Sequence, residues 1–241
     1  MLILWFELMS EYYSHCVPTC SSNKTAESAL VTQRLSPDVV GGTYPFGGIM
    51  SDGLIPAIMS RRARRAITGQ PIARDILETI LTAAHLAPSC ANSQPWRFVV
   101  VDEEPALTQV KEYLSGGNYW AKLSPVIVAV VSRADLDCQI PDGREYHLFG
   151  CGLASMNLML QATEMGLIAH PIAGFKQAPI KTLLDIPDDF TLITLIILGN
   201  PADTDQLLSE KHRLEEVSER SRVPISNVVA WNRFTFSEPP P

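Results

Sequence analysis

"HLFGCGLASMNLMLQATEMG" runs from residue 147 to 166, and its reading decides the fold. It is the longest helical pattern in the chain and is apolar on nearly every side. Gly150, Gly152, Ala154 and Ser155 are small enough to let another helix approach closely, and Gly166 is placed to cap the end. A helix that is hydrophobic all round is expected to be buried on all sides. The architecture must therefore place elements around it.

The flanking segments supply those elements. Upstream, "PIARDILETILTAAHLAP" reads as an amphipathic helix. Pro71 suits its first turn, Asp75 favours its N-terminal end, and Pro88 stops it. Ile72, Ile76, Leu77, Ile80, Leu81 and Ala84 share one face. "WRFVVVDEE" reads as a buried strand around Val99, Val100 and Val101, "PALTQVKEYL" as a short helix, and "SPVIVAVVSR" as a second buried strand. Downstream, "LIAHPIAGF" starts as a strand and ends as a loop. "APIKTLLDI" is a short helix and "TLITLIILG" a third buried strand. A helix-like run and an extended tail, "LEEVSERSRVPISNVVAWNRF", close the chain. Helices alternate with buried strands, which predicts an α/β or α+β class with both faces of the sheet covered.

The totals fit one large domain or two small ones. The chain has 241 residues, 46% of them hydrophobic and 19% charged, with a formal net charge of -7. An acidic chain of this kind is not expected to bind nucleic acid generally. Residues 1–52 lack sustained periodicity and are rich in Ser, Gly, Pro and Asp. They read as an irregular N-terminal extension, with the fold, 53–241, beginning near Leu54. "MLILWFELM" is too short to span a bilayer and has no basic flank, so no membrane partner is expected. The five cysteines, Cys16, Cys20, Cys90, Cys138 and Cys151, show neither metal-ligand spacing nor a disulfide framework. That usage fits a reducing cytoplasm, with no metal site. GxGxxG and GxxxxGK[ST] are both absent, so neither a dinucleotide fingerprint nor a Walker A loop is supported.

Polar features remain. "RRARR", residues 61–65, gathers four arginines in an acidic protein. It reads either as a solvated basic face or as a phosphate site, since guanidinium groups bind phosphate by paired, charge-assisted hydrogen bonds. If it extends a short helix, "IPAIMSRRARRAI", then Arg61 and Arg65 share a face and Arg64 points elsewhere. "APSCANSQPWRF", residues 87–98, puts amide side chains at a strand entrance. Asn92 and Gln94 could bond the edge of a planar heterocycle there. The alternative is an ordinary turn, with Trp96 as the strand's first core residue. "HPIAGF", 170–175, and "RSR", 220–222, read as a turn with accessible backbone N–H groups and as a charged helix end.

In this order the segments "SRRARRAITGQPI", "LAPSCANSQPWRFVVV", "GREYHLFGCGLASMNLMLQATEMGLIAHPIAGF" and "LGNP" resemble the FMN-dependent nitroreductase family, over about residues 56–234. The resemblance implies an α+β fold, an α/β/α sandwich with a mixed central sheet, in an intertwined homodimer. The long apolar helix would pack on its twin, and the tail would wrap the partner and add a strand. It implies FMN at the dimer interface, with NADH or NADPH as reductant and a small-molecule electron acceptor in ping-pong turnover on one flavin face. Residue by residue, Arg61, Arg62 and Arg65 match the positions that hold the phosphate and flavin oxygens, and Ala63 stands where relatives often have Ser. Pro88, Ser89, Asn92 and Gln94 match the flavin loop contributed by the other subunit. Asn118 matches the residue at the pyrimidine edge. Pro171, Ile172, Ala173 and Gly174 match the loop over the flavin, and Arg220 and Arg222 complete the phosphate site. No side chain is assigned as a catalytic acid or base, because the cofactor carries the chemistry. The alternatives are an FMN-binding or storage protein without efficient turnover, and a flavin-dependent dehydrogenase or dehalogenase on the same scaffold.

Overall fold

A computed structural model describes residues 53–236. The expectations for the N-terminal extension fall outside that range. The six helices named here are α1 (Pro56–Ser60), α2 (Arg74–His85), α3 (Ala106–Glu112), α4 (Tyr146–Glu164), α5 (Gln177–Leu183) and α6 (Glu210–Val217). Four strands, β1 (Arg97–Val101), β2 (Val126–Ser132), β3 (Ile168–Ile172) and β4 (Thr191–Gly199), form one sheet in the order β1-β2-β4-β3.

Every pairing in this sheet is antiparallel. The expected mixed sheet is thereby corrected for the described residues. That expectation came with the family resemblance, and the four strands of the described residues pair without a parallel neighbour. The two central strands are Val- and Ile-rich and lie under cover on both faces, as continuous apolar runs require. All seven residues of β2 are buried. The expected buried strand at 97–101 is instead an edge, with Arg97 exposed and only Val101 fully buried.

The side chains alternate between two cores because strand residues point to opposite faces. On one face Ile127, Ala129, Val131, Leu195 and Ile197 pack with Val110 of α3, Trp120 and Ile180 of α5. On the other, Val126, Val128, Val130, Ile196 and Leu198 pack with Leu77 and Ile80 of α2 and Cys151, Ala154 and Leu158 of α4. The sheet is sandwiched between helices. Each fully buried Leu or Ile contributes about 1.5–3 kcal/mol of transfer free energy.

α2 begins three residues after Pro71, at Arg74, with Asp75 in its first turn. α4 ends where Gly166 turns the chain at φ +75°. α4 is not enclosed on all sides, however. His147, Gly150, Cys151, Ala154, Leu158 and Ala162 are buried, while Phe149 is 55% and Met156 43% exposed. With Leu148 and Gly152 they form an open apolar stripe at helical spacing. Among the described residues, no helix is long and apolar enough to cross a membrane.

One expectation about the cysteines is overturned. Cys90 and Cys138 are joined by a disulfide, although 48 residues separate them. The antiparallel register explains how. Arg97 at the start of β1 faces Val131 at the end of β2, and Ser132 Oγ donates to the Pro95 carbonyl at 2.8 Å. The chain leaving β2 therefore passes the chain entering β1, a proximity that cysteine spacing does not reveal. Cys151 is a free, buried thiol.

Candidate cofactor site

Residues 61–65 are not helical. α1 ends at Ser60, and Arg61 already has extended backbone angles, φ -57° and ψ 123°. The expected pairing of Arg61 and Arg65 on one helix face is therefore corrected. In extended chain, neighbouring side chains diverge, and what arranges them is the tail after α6.

That tail is held against 58–66 by several bonds. Glu216, at the end of α6, is buried. Its carboxylate accepts from the Arg65 backbone N–H at 2.9 Å and lies 3.7 Å from the Arg64 guanidinium. Arg65 pairs with Glu215 at 2.7 Å, and Arg62 donates to the Ser218 carbonyl at 2.7 Å. Arg220 donates to the carbonyls of Ile58 and Met59 at 3.2 and 3.0 Å, and also to that of Arg61. Arg220, expected beside the phosphate, has its guanidinium on the open carbonyls at the end of α1. The start of α6 is fixed as well, by the Tyr119 hydroxyl, which accepts from the Ser209 N–H at 2.6 Å and lies 3.1 Å from His212.

The result is a concentration of like charge. The Arg61 guanidinium is pushed below its ordinary pKa by burial, then by Arg222 and by Arg62. Arg220 is lowered by burial, then by Arg61, Arg222 and Arg62. Among the described residues, none of the ion pairs puts a carboxylate on Arg61, Arg62 or Arg222. Four guanidinium groups that repel one another in a partly buried place suit a multivalent anion. Of the carried-over basic residues, Arg65 is the exception, since Glu215 already neutralises it.

His170, in β3, secures the middle of this stretch. Its Nδ1 lies 2.9 Å from the Arg64 carbonyl and its ring packs at 4.6 Å on Trp120. Burial drives its pKa down to about 4, helped by Arg65 and Arg61, so it does not add another cation at neutral pH. The loop after β3 is joined to Asn118, whose Nδ2 donates to the Gly174 carbonyl at 2.9 Å. A Cβ on Gly174 would sit 2.7 Å from that nitrogen, so only glycine allows the approach. Pro171 and Gly174 are half-buried, Ile172 is buried and Ala173 is exposed. Ala63 is also exposed.

The loop Pro88–Gln94 stands apart. Ala91, Asn92 and Gln94 have positive φ of 46°, 58° and 52°. The left-handed region costs a residue with a Cβ about 1–2 kcal/mol, and Asn tolerates it best. The loop is held by Ser89 Oγ accepting from the Gln94 N–H at 2.9 Å, by Gln94 Nε2 donating to the Asn92 carbonyl at 2.6 Å, and by the disulfide. Pro88 and Asn92 are exposed. A cavity of about 430 Å³ opens beside this loop, lined by His85, Ser93, Gln94, Trp96 and Arg97 among others. Trp96 itself is a buried core residue.

The fold keeps these two groups separate in one chain. The loop leads into β1 and the Pro171–Gly174 segment leaves β3, and these are opposite edge strands. Both face the end of the sheet where β4 begins, since Arg97 pairs with Val131, Val131 with Leu192 and Ile172 with Leu195. Three strand spacings, about 14 Å, separate the edges. Sequence reasoning missed three contributors: Glu216, His170 as a support, and the Cys90–Cys138 bond. A lone buried glutamate among exposed ones leaves no periodic signal.

An α+β sandwich with an arginine cradle at one sheet edge and an amide loop at the other defines the class. The family model for the nitroreductase family matches residues 58–200, and the chain belongs to that family. A protein of Archaeoglobus fulgidus, provisionally named NADH dehydrogenase/NAD(P)H nitroreductase, is 29% identical over 154 residues, 61% of this chain and 84% of its own length. FMN reductase (NAD(P)H) of Bacillus subtilis is 26% identical over 166 residues, 62% of this chain and 66% of its own. A solved structure described as an oxidoreductase containing FMN superposes with a TM-score of 0.68 at 33% identity, covering 81% of this chain and 96% of that one.

Proposed function

We propose that this protein carries one functional domain, placed at 53–241, and is an FMN-dependent oxidoreductase that takes electrons from NADH or NADPH and passes them to a small acceptor of the nitroaromatic or quinone kind. The observation that carries this is the cradle. Arg61, Arg62 and Arg222 converge without carboxylate partners among the described residues, in a chain with an excess of acidic groups. An FMN phosphate carries close to two negative charges and would relieve that repulsion. FMN-containing and FMN-reducing relatives support the same reading.

In this reading Arg61, Arg62 and Arg222 hold the phosphate, while Arg65 and Arg220 keep the chain segments in place. Asn118, fixed by its bond to Gly174, keeps its Oδ1 to accept from the heterocycle edge. Pro171, Ile172, Ala173 and Gly174 would line the ring system, and all but the proline carry a backbone N–H that could donate to it. Bound there, FMN supplies hydride transfer at its N5 position. Neutral His170 supports the backbone without drawing charge from the phosphate.

The amide loop belongs to the same site only if a second copy brings it there. We infer a twofold dimer in which the Leu148, Phe149 and Met156 stripe is buried between α4 helices. Pro88, Ser89, Asn92 and Gln94 of one subunit then meet the arginines of the other. The exposed apolar residues of the tail, Ile225, Val228, Trp231 and Phe234 among them, fit a segment that wraps a partner. Such an interface is expected to bury more than about 2,000 Å².

The test is direct. Apoprotein titrated with FMN is expected to bind one per chain as a dimer by light scattering, and NADH or NADPH is expected to bleach the bound flavin in stopped-flow absorbance. Flavin that binds but is not bleached by either would move the protein to the storage reading. A flavin-loaded monomer would remove the dimer.

A further inference from the structure

The disulfide is the feature that the proposed reaction does not use, and it sits in the amide loop. Cys90 immediately precedes Ala91, Asn92 and Gln94, the loop's three positive-φ residues with side chains. Cys138 lies beyond the end of β2, in a turn whose own anchor is Asp137. The bond therefore ties a strained segment to the chain that leaves the central strand β2. The hydrogen bonds within the loop, Ser89 to Gln94, Gln94 to Asn92 and Ser93 to Cys90, are all local. Among the described residues, the hydrogen bonds that tie the loop to the sheet are at its far end, where Arg97 donates to the Gln94 carbonyl at 3.0 Å and Ser132 Oγ to that of Pro95 at 2.8 Å.

Asp137 gives the pair a second property. It is only 7% exposed, and its Oδ1 accepts from the Cys138 N–H at 2.8 Å. Its Oδ2 is buried with no hydrogen-bond partner. A carboxylate oxygen of Asp137 and the two sulfurs lie within 4.8 Å of one another. A disulfide has no hydrogen to offer the Asp137 carboxylate, whereas a thiol has one. A bare buried acceptor is unfavourable, so a thiol within reach of this carboxylate would favour the reduced state. Cys151 does not compete as a third partner, because burial pushes its pKa up to about 11 and keeps it a thiol.

We propose that Cys90 and Cys138 form a reversible thiol–disulfide exchange site, worked by a dithiol reductant, whose state sets the conformation of the Pro88–Gln94 loop. The reductant's thiolate attacks one cysteine sulfur and breaks the S–S bond, and its second thiol resolves the mixed disulfide. Two electrons and two protons pass to the cysteines, and the reductant leaves as its own disulfide. With the bond broken, Ala91, Asn92 and Gln94 relax toward ordinary angles and the Asn92 and Gln94 amides lose their fixed directions. Treating that loop as part of a cofactor site rests on the flavin reading above.

The experiment uses the full-length protein equilibrated in dithiothreitol redox buffers, with thiols trapped by alkylation and located by mass spectrometry. Cys90 and Cys138 are expected to change together and reversibly while Cys151 stays constant. Amide hydrogen exchange across 88–94 is expected to speed up on reduction, and FMN to bind about tenfold more weakly, an ordinary size for coupling between two sites. Cys90→Ser and Cys138→Ser are each expected to reproduce the reduced behaviour. Asp137→Asn is expected to shift the equilibrium toward the disulfide. Free thiols at both positions under oxidising buffer, zinc held stoichiometrically by the pair, or identical exchange across 88–94 in both states would overturn the proposal. If neither state binds FMN while 88–94 still follows the redox buffer, the flavin reading falls and the switch stands.

Discussion

The cradle and the amide loop sit at opposite edges of one sheet and are held in opposite ways. The cradle, 58–66 with 216–222, is held by charge and by hydrogen bonds that cross about 150 residues of sequence, Glu216 to Arg65 and Arg62 to Ser218. Its backbone angles are ordinary, and its tension is electrostatic, Arg61 against Arg222 and Arg62. The loop is held by local hydrogen bonds and one covalent bond, and its tension lies in the backbone at Ala91, Asn92 and Gln94. A group that stores repulsion is relieved by a ligand of opposite charge. A loop that stores backbone strain is poised by its tether. The comparison separates binding strength, assigned to the first region, from geometry, assigned to the second.

The hardest test of that division is Arg61→Ala. It is expected to weaken FMN binding by about 2–5 kcal/mol, the cost of removing one partner from a desolvated charge-assisted contact. Titration of apoprotein would measure it, and no loss of affinity would return the arginines to a solvated surface. Next in size is the pH response of the cradle's support. His170 is held neutral, its pKa lowered to about 4 from the 6.5 of an exposed histidine. The unfolded chain therefore takes up that proton first, and stability falls as pH drops from about 6.5 to about 4. The loss reaches at most about 3 kcal/mol and stops below that window. Urea unfolding across the range is expected to lose this slope in His170→Gln; an unchanged slope would assign it to other groups.

Smaller effects sharpen the other side. Ala91→Gly removes a Cβ from a residue at φ 46° and is expected to stabilise the fold by about 1 kcal/mol, since glycine enters that region without steric cost. Thermal unfolding would show it, and a destabilised variant would mean that the loop is not strained. The smallest change expected is for Arg64→Ala. Its side chain is half exposed and 3.7 Å from Glu216, so stability and FMN affinity should each move by less than about 0.5 kcal/mol. An effect as large as that of Arg61→Ala would mean that the cradle is drawn around the wrong arginines.

Much of this was readable in the chain. The runs 126–132 and 191–199 are continuous and apolar, and the structure puts both at the centre of the sheet. The α2 pattern placed Leu77, Ile80 and Ala84 inward, and they are buried. The strand at 97–101 was harder to place. Three consecutive valines look the same in a central strand and in an edge. RRARR was readable as a concentration of charge but not as a shape, because helix and extended chain present the same five letters. The open stripe on α4 follows from the same limit: apolar composition marks surface to be covered, and does not say whether the cover comes from the same chain.

By itself, then, the sequence determined the local order: which segments become helix or strand, where charge and amides gather, and the membership of the nitroreductase family that those motifs signal. These are properties of neighbouring residues, set by periodicity, turn chemistry and residue type. Only the tertiary structure decided that Glu216 locks the backbone of Arg65, that Arg220 caps α1, that Cys90 meets Cys138, and that the two polar regions lie at opposite edges of an antiparallel sheet. Each of these depends on strand order and register. Those are fixed by burying both faces of β2 and β4 at once, a condition on the whole chain that no single stretch of it contains.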